Sequence, residues 1–369
     1  MSQTGDDTLA TLATPCLVID AAVVERNLQG LAKYAAQHRL KVRPHTKTHK
    51  SLRLARLQME AGACGLTVAK AGEAAVMAEA ANDILVAYPA VDSHRCRELA
   101  RMAQKISVRV AIDSAAAAQA LAASACNAGS TIGILIDIDA GMHRTGVQSP
   151  REALELGQAV STQRGLRLDG IMFYPGHISG PAATQAAALA SVEALVAETI
   201  SLFKKSGLNC SIVSGGSTPT LLRSHLVPSQ TEIRPGTYIF NDMNCVHGGS
   251  AALEECAARL VCTVVSDAVP NQIVLDGGTK TFTSDRCGPA PESGHGFILE
   301  YPKAKIVKLT EEHAQVDVSA CERRPRIGER VSVIPNHICP CVNLQDSAWV
   351  REKDGSIQPL KVDARGKLV

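Results

Sequence analysis

Two lysines and two histidines fall within six residues in the run Arg43-Pro44-His45-Thr46-Lys47-Thr48-His49-Lys50. The run follows Leu40-Lys41-Val42, a short apolar segment that reads as a strand reaching its end. A lysine at the mouth of a strand, crowded by other cations, is a candidate for a depressed pKa. Such an amine can form a Schiff base with an aldehyde at neutral pH. A solvated basic loop is the competing reading of the same residues.

Two glycine-bearing segments supply a second element of chemistry, Ser214-Gly215-Gly216-Ser217 and Pro235-Gly236-Thr237. Adjacent glycines let a backbone approach a bound group closely, and free N–H groups opening a helix make an anion site. A pair of tight turns is the alternative. Taken together with Lys47, an anion cradle points to pyridoxal phosphate, which needs both an amine and a phosphate site.

The third element is Pro335-Asn336-His337-Ile338-Cys339-Pro340-Cys341. His337 and Cys339 alternate, so on a strand both side chains project from one face and can chelate one ion. Imidazole with thiolate suits Zn²⁺, and two protein ligands leave positions open for water or substrate. A packed histidine beside a buried cysteine competes with this, as does a Cys339/Cys341 redox pair.

The chain that must position these groups has 369 residues, 46% of them hydrophobic but only 3% aromatic. That composition predicts a core of Ala, Val, Leu and Ile, as in α/β proteins with buried parallel strands. The net charge of +2 arises from 38 basic and 36 acidic residues with no long single-sign block, which argues against nucleic-acid or membrane-surface partners. The polar, acidic opening Met1–Asp7 does not resemble an export signal. The apolar stretch from Ala182 to Phe203 is interrupted by Gln185, Ser191, Glu193, Glu198 and Ser201 at helical spacing. The scattered cysteines therefore read as reduced thiols of a cytoplasmic protein.

Between residues 40 and 240, short β-branched runs alternate with Ala/Leu/Glu-rich amphipathic stretches. The strand candidates are Leu40–Val42, Gly65–Val68, Ile84–Ala87, Ser107–Ile112, Ile132–Ile138, Leu168–Phe173, Cys210–Val213 and Glu232–Ile233. Strict βα alternation over eight strands predicts a closed parallel (β/α)8 TIM barrel, with its active site where the strands' C-terminal ends converge. Beyond residue 250, alternating runs such as Arg259–Val265, Gln272–Leu275 and Arg330–Ile334 predict an antiparallel β domain. The expected division is 15–250 for the barrel and 251–369 for the β domain. The strand-like Pro15–Asp20, within residues 1–20, is a candidate to pair with the second domain.

The assembled motifs resemble the metal-activated D-serine dehydratase and D-threonine aldolase family, within the alanine-racemase-like pyridoxal-phosphate enzymes. They are Arg-Pro-His-Thr-Lys47-Thr-His-Lys, Val68-Ala-Lys-Ala-Gly-Glu-Ala, His143-Arg144-Thr-Gly, Ser214-Gly-Gly-Ser-Thr-Pro, Arg234-Pro-Gly-Thr-Tyr and Pro335-Asn-His-Ile-Cys-Pro. The resemblance runs from Thr14 to Gly366. It implies Lys47 as the Schiff-base lysine, with Gly215, Gly216, Ser217, Gly236 and Thr237 as the phosphate cradle. It also implies Arg144 near the cofactor's phenolic oxygen, Tyr174 near its ring, and His337 with Cys339 as the metal pair. Zinc is the expected metal, with manganese or magnesium as alternatives, and a homodimer is implied. The family's aldolase branch carries an aspartate where Cys339 stands and a Thr-Gly-Gly-Gly-Thr-Gly phosphate loop. His-x-Cys and Ser-Gly-Gly-Ser-Thr are closer to the dehydratase branch, whereas Phe173-Tyr174-Pro175-Gly176-His177-Ile178-Ser179 mixes features of both.

The expected activity is that of a lyase on D-3-hydroxy amino acids, foremost D-serine-type dehydration, with D-threonine-type aldol cleavage as the alternative. A racemase needs a second acid/base and no metal. A non-catalytic cofactor carrier needs no second domain.

Overall fold

The computed structural model describes residues 11–180 and 182–369. After β1 (Cys16–Asp20), eight parallel strands follow: β2 (Lys41–Val42), β3 (Leu66–Val68), β4 (Asp83–Val86), β5 (Ser107–Ile112), β6 (Ile132–Ile138), β7 (Leu166–Phe173), β8 (Ile212–Gly215) and β9 (Glu232–Ile233). They pair in the order β2-β9-β8-β7-β6-β5-β4-β3. The two ends of that order also meet. Cys64 N–H donates to Val42 O at 2.8 Å, Thr67 N–H donates to Pro44 O at 2.8 Å, and His45 bridges Thr67 in parallel. These bonds close the barrel that the alternation predicts.

Local chemistry sets the helices between the strands. The loops after β4, β5 and β6 lead into helices whose first turns are capped by Asp92, Ser114 and Ser149, each accepting a backbone N–H three residues on. Pro150 follows Ser149 at the first helical position, where its missing N–H costs nothing. A cap of this kind contributes about 1 kcal/mol. The long helix Ala182–Lys205 passes for a membrane span by length and composition alone. It instead buries Leu189, Val192, Val196 and Phe203 along one face, at barrel-helix spacing.

The barrel interior departs from the all-aliphatic expectation. A chain of ions runs through it: Arg167 Nε donates to Asp169 at 2.6 Å, Arg109 joins Asp169 at 2.7 Å to Asp83 at 2.5 Å, and Arg43 joins Asp83 at 2.5 Å to Glu232 at 2.9 Å. Ser214 Oγ donates to Glu232 at 2.6 Å and accepts from Arg234 at 2.7 Å. Three arginines face three carboxylates in the first part of this chain, so the enclosed charge is balanced. Two glycines make the room for it. A Cβ at Gly133 would sit 2.4 Å from Asp169 Oδ2, and one at Gly65 would sit 2.3 Å from Arg43 Nη1. Composition does not reveal this, because a handful of paired ions hardly alters the percentages.

The remaining strands are β10 (Ala258–Ser266), β11 (Gln272–Leu275), β12 (Phe297–Ile298), β13 (Lys305–Leu309), β14 (Ala314–Asp317), β15 (Arg330–Ile334), β16 (Ser347–Arg351) and β17 (Ile357–Lys361). They form a second sheet with β1 as a member, as its strand-like sequence anticipates. β1 lies between β10, antiparallel, and β16, parallel, so the sheet is antiparallel except at that one seam. By packing, one compact unit comprises the described residues to Gly30, Thr48–Ser51 and Thr237–Arg365. The other comprises Leu31–Lys47, Leu52–Gly236 and Gly366–Val369.

Candidate functional site

Lys47 lies on a single 3₁₀ turn, Thr46–Thr48, just beyond β2. The segment leading into it is stitched to β3, for Thr46 Oγ1 donates to Thr67 O at 3.1 Å and Thr67 Oγ1 donates to Arg43 O at 2.8 Å. Lys47 N–H turns back onto His45 Nδ1 at 3.4 Å. The half-buried Lys47 is thus held at the C-terminal end of the barrel. The other lysines of its motifs are engaged elsewhere. Lys50 Nζ donates to Asn343 Oδ1 at 2.8 Å, and Lys70 Nζ stands 3.7 Å over the Tyr88 ring.

At the ends of β6 and β7 the structure brings Arg144 and Tyr174 together, the guanidinium 5.2 Å from the ring centroid. The loop carrying Arg144 is rigid for visible reasons. Asp139 Oδ1 accepts N–H bonds from Gly141 at 2.9 Å and His143 at 3.0 Å, Gly146 N–H donates to Asp113 at 3.1 Å, and Val147 bridges back to Ile138. Burial would raise the Asp139 pKa, but these N–H donors outweigh it and hold the carboxyl below its usual range. Behind the loop, Thr145 Oγ1 donates to Asp137 Oδ2 at 2.8 Å. Asp137 is buried, and desolvation pushes its pKa up to about 6 against that bond and the pull of Arg234. Arg234 is itself fully enclosed, donating to Ser214 Oγ and to Phe173 O, and burial lowers it to about 10 despite Glu232 and Asp137.

The ends of β8 and β9 are neighbours in the barrel, and the two glycine segments meet there. Gly216, Ser217 and Gly236 are buried, and their backbone N–H groups donate to no described residue. Buried N–H groups are almost always paired, so three unpaired ones on adjacent strand ends form a cradle suited to an anion. Gly216 needs its missing side chain for φ +81°. Gly215 differs: it belongs to the β8 ladder, and a Cβ there would strike the Phe173 ring at 2.2 Å. Its requirement is core packing beneath the cradle. Ser217 Oγ shares a 2.9 Å bond with Thr220 Oγ1 and so shapes the loop. A phosphorylated aldehyde fits these residues, with N–H donors for its phosphate and an amine on the same rim.

The metal pair is placed otherwise than on a strand. His337 is the residue before a helix, Ile338–Leu344, and Cys339 lies in its first turn. Pro340 is tolerated so early in a helix, which is why the alternating pattern misleads. The His337 side chain does not cap this helix. Asp242 does so from another element, its Oδ2 accepting Ile338 N–H at 3.1 Å. The imidazole is thereby released to reach Cys339, with which it hydrogen-bonds, while His337 Nδ1 lies 3.0 Å from Asp285 Oδ2. Burial would lower the His337 pKa, but Cys339, Asp242 and Asp285 carry it up to about 9. The Cys339 sulfur lies 3.2 Å from Thr48 Oγ1 and 3.7 Å from Thr237 Oγ1. Thr237, expected in the phosphate cradle, therefore turns its hydroxyl toward Cys339. This nitrogen–sulfur pair fits a borderline-soft divalent ion. Among the described residues no cluster of three His, Cys, Asp or Glu is placed to ligate, so the count stays at two. Cys341 is buried, its Sγ donating to Phe282 O at 3.0 Å, whereas Cys339 faces Thr48 and Thr237, so the two thiols engage different partners.

Sequence reasoning passed over Asp137, Arg234, Asp285 and Thr48. Arg234 and Thr48 stand inside the motifs and Asp137 near the end of a strand candidate, whereas Asp285 is 52 residues from the histidine it contacts and carries no local signal.

Comparison with known proteins agrees with this fold. The family model for the alanine racemase N-terminal domain matches residues 19–243, and a putative serine dehydratase domain matches residues 257–351. The chain is 31% identical to a D-threo-3-hydroxyaspartate dehydratase of Delftia sp. (strain HT23), covering 95% of this chain and 97% of that one. A crystal structure of D-threonine aldolase from Filomicrobium marinum superposes with a TM-score of 0.91 at 29% identity, covering 98% of both chains. A cysteine-to-alanine variant of D-threo-3-hydroxyaspartate dehydratase, solved in what is described as its metal-free form, superposes at 0.89 with 28% identity over 96% of this chain and 98% of that one.

Proposed function

The chain belongs to the metal-activated D-serine dehydratase and D-threonine aldolase family of the alanine-racemase-like fold, and we propose that it is a pyridoxal-phosphate- and divalent-metal-dependent lyase acting on D-3-hydroxy amino acids. The observation that carries this reading is the rim of the barrel, where three buried, unpartnered N–H groups at the ends of β8 and β9 share a face with Lys47 at the end of β2.

Lys47 Nζ would hold the cofactor's aldehyde carbon, and as a free amine it would be placed to take the Cα proton. Gly216, Ser217 and Gly236 bind the phosphate through backbone N–H groups, and Arg144, held against Tyr174, orients the ring's oxygen-bearing edge. When bound, the cofactor supplies an electron sink for the carbanion at Cα. His337 and Cys339 would hold the divalent ion, which would supply Lewis acidity toward the substrate's 3-hydroxyl.

Two outcomes use these same parts. Loss of the Cα proton and of the hydroxyl as water yields an imine that hydrolyses to an oxo acid and ammonia. Deprotonation of the hydroxyl instead breaks Cα–Cβ, giving glycine and an aldehyde. Cys339 and the Ser214–Ser217 loop favour dehydration, whereas Phe173-Tyr174-Pro175-Gly176 favours cleavage. Incubation with D-serine, D-threonine and D-3-hydroxyaspartate, with and without chelator, separates them. Ammonia marks a dehydratase and glycine an aldolase, while racemised but intact substrate overturns both. The implied homodimer is tested by sedimentation equilibrium of the pure protein.

A further inference from the structure

We propose that Asp285 and Thr48 are positioning residues for the metal, Asp285 aiming His337 and Thr48 aiming Cys339. The inference rests on the metal reading above and extends it to residues outside the ligand pair.

The geometry around His337 is asymmetric. Its Nδ1 lies 3.0 Å from a carboxylate oxygen of Asp285. A carboxylate offers no proton, so in the neutral ring that binds a metal Nδ1 carries the N–H and donates, and Nε2 is left with the lone pair. The two ring nitrogens point in widely diverging directions. A carboxylate bonded at Nδ1 therefore stands on the far side of the ring from an ion at Nε2. Asp285 is thus placed to fix the tautomer and rotation of the ring and not to join the coordination shell. The absence of any three-member ligand cluster among the described residues agrees with this.

Cys339 is aimed from the other side. Thr48 is wholly buried, and its hydroxyl lies 3.2 Å from the Cys339 sulfur. In the free thiol the S–H donates to Thr48 Oγ1. Once the sulfur is a thiolate on a metal, the same hydroxyl rotates and donates to it. Thr237 Oγ1, at 3.7 Å, is a weaker second neighbour. Thr48 directly follows Lys47, so the residue that steadies the metal's sulfur shares a 3₁₀ turn with the cofactor lysine.

The test is a zinc affinity measured by competition with a colorimetric chelator on the pyridoxal-phosphate-loaded protein. Partners of this kind change metal affinity by about 10- to 100-fold. Asp285→Ala and Thr48→Val should each weaken zinc binding within that range and keep the bound cofactor's absorption band. Asp285→Asn retains an acceptor oxygen and Thr48→Ser retains a hydroxyl, so both should recover most of the affinity. That recovery separates positioning from a general loss of structure. Unchanged affinity in Asp285→Ala and Thr48→Val overturns the proposal. Complete loss of zinc in Asp285→Asn, matching His337→Ala, also overturns it by making Asp285 a ligand. A wild-type protein that takes up neither zinc nor manganese removes the metal reading and this inference together, whereas zinc uptake with unaltered variants removes the inference alone.

Discussion

At the scale of single residues, the cofactor lysine is the sharpest assignment. Lys50 and Lys70, its rivals by sequence, are occupied by Asn343 and by the Tyr88 ring. Lys47→Ala should therefore lose the bound cofactor's visible absorption while the far-UV circular dichroism stays unchanged, and borohydride should trap no cofactor on the variant. Cofactor trapped on Lys50 or Lys70 would move the assignment. Asp137 carries a second expectation. Its folded pKa, about 6, stands above the ordinary 3.8, so the folded state binds the proton more tightly than the unfolded chain. Stability contributed by the protonated group is present below about pH 4 and is lost as pH rises through about 6. The loss amounts to roughly 3 kcal/mol at 1.36 kcal/mol per pKa unit. Asp137→Asn keeps an acceptor for Thr145 and should flatten that part of the profile, gaining on the wild type as pH rises from 4 to 7 in denaturant titrations. A parallel pair of profiles would place the burial penalty elsewhere.

At the scale of elements, one glycine and one arginine show how strand ends are held to their task. Gly216 sits at φ +81°, with the Ile233 side chain 3.1 Å from where a Cβ would lie. A β-branched residue there forces the loop out of shape, at a cost of about 1–3 kcal/mol to the fold. It also turns N–H donors away from the anion, and a charge-assisted bond of about 1.5–3 kcal/mol corresponds to roughly 10- to 100-fold in Kd. Gly216→Val should thus weaken cofactor binding measured by equilibrium dialysis while leaving a cooperative unfolding transition. Arg43 is the hinge of the interior ion chain, joined to both Glu232 and Asp83 with 3% of its own surface exposed. Its removal leaves Asp83 on Arg109 but strips the buried Glu232 of its arginine, with Ser214 Oγ as its closest remaining donor, and breaking a buried pair in this way costs about 3–5 kcal/mol. Arg43→Met should lower stability by that order in urea titration, although the substituted residue touches no candidate ligand. A change under 1 kcal/mol would show that Arg109 and Ser214 suffice for the two carboxylates.

At the scale of the whole molecule, the proposed activity calls for two separate loads, one on the barrel rim and one on the His337–Cys339 pair. Chelator should abolish lyase turnover and leave the cofactor's absorption in place, and Zn²⁺ or Mn²⁺ should restore the turnover. Full activity after exhaustive chelation would make the pair structural. What the sequence by itself determined was the parallel barrel and the membership of β1 in the second sheet. Those features are written in local signals: period-two runs, capping residues and glycines repeat at spacings that a chain imposes on its neighbours in sequence. Only the tertiary structure decided the ion chain inside the barrel, because Arg43 meets Glu232 across 189 residues and pairing at that range leaves no periodic trace. It also decided that His337 and Cys339 open a helix. That depends on Asp242, 96 residues away from Ile338, accepting the N–H that would otherwise be left bare.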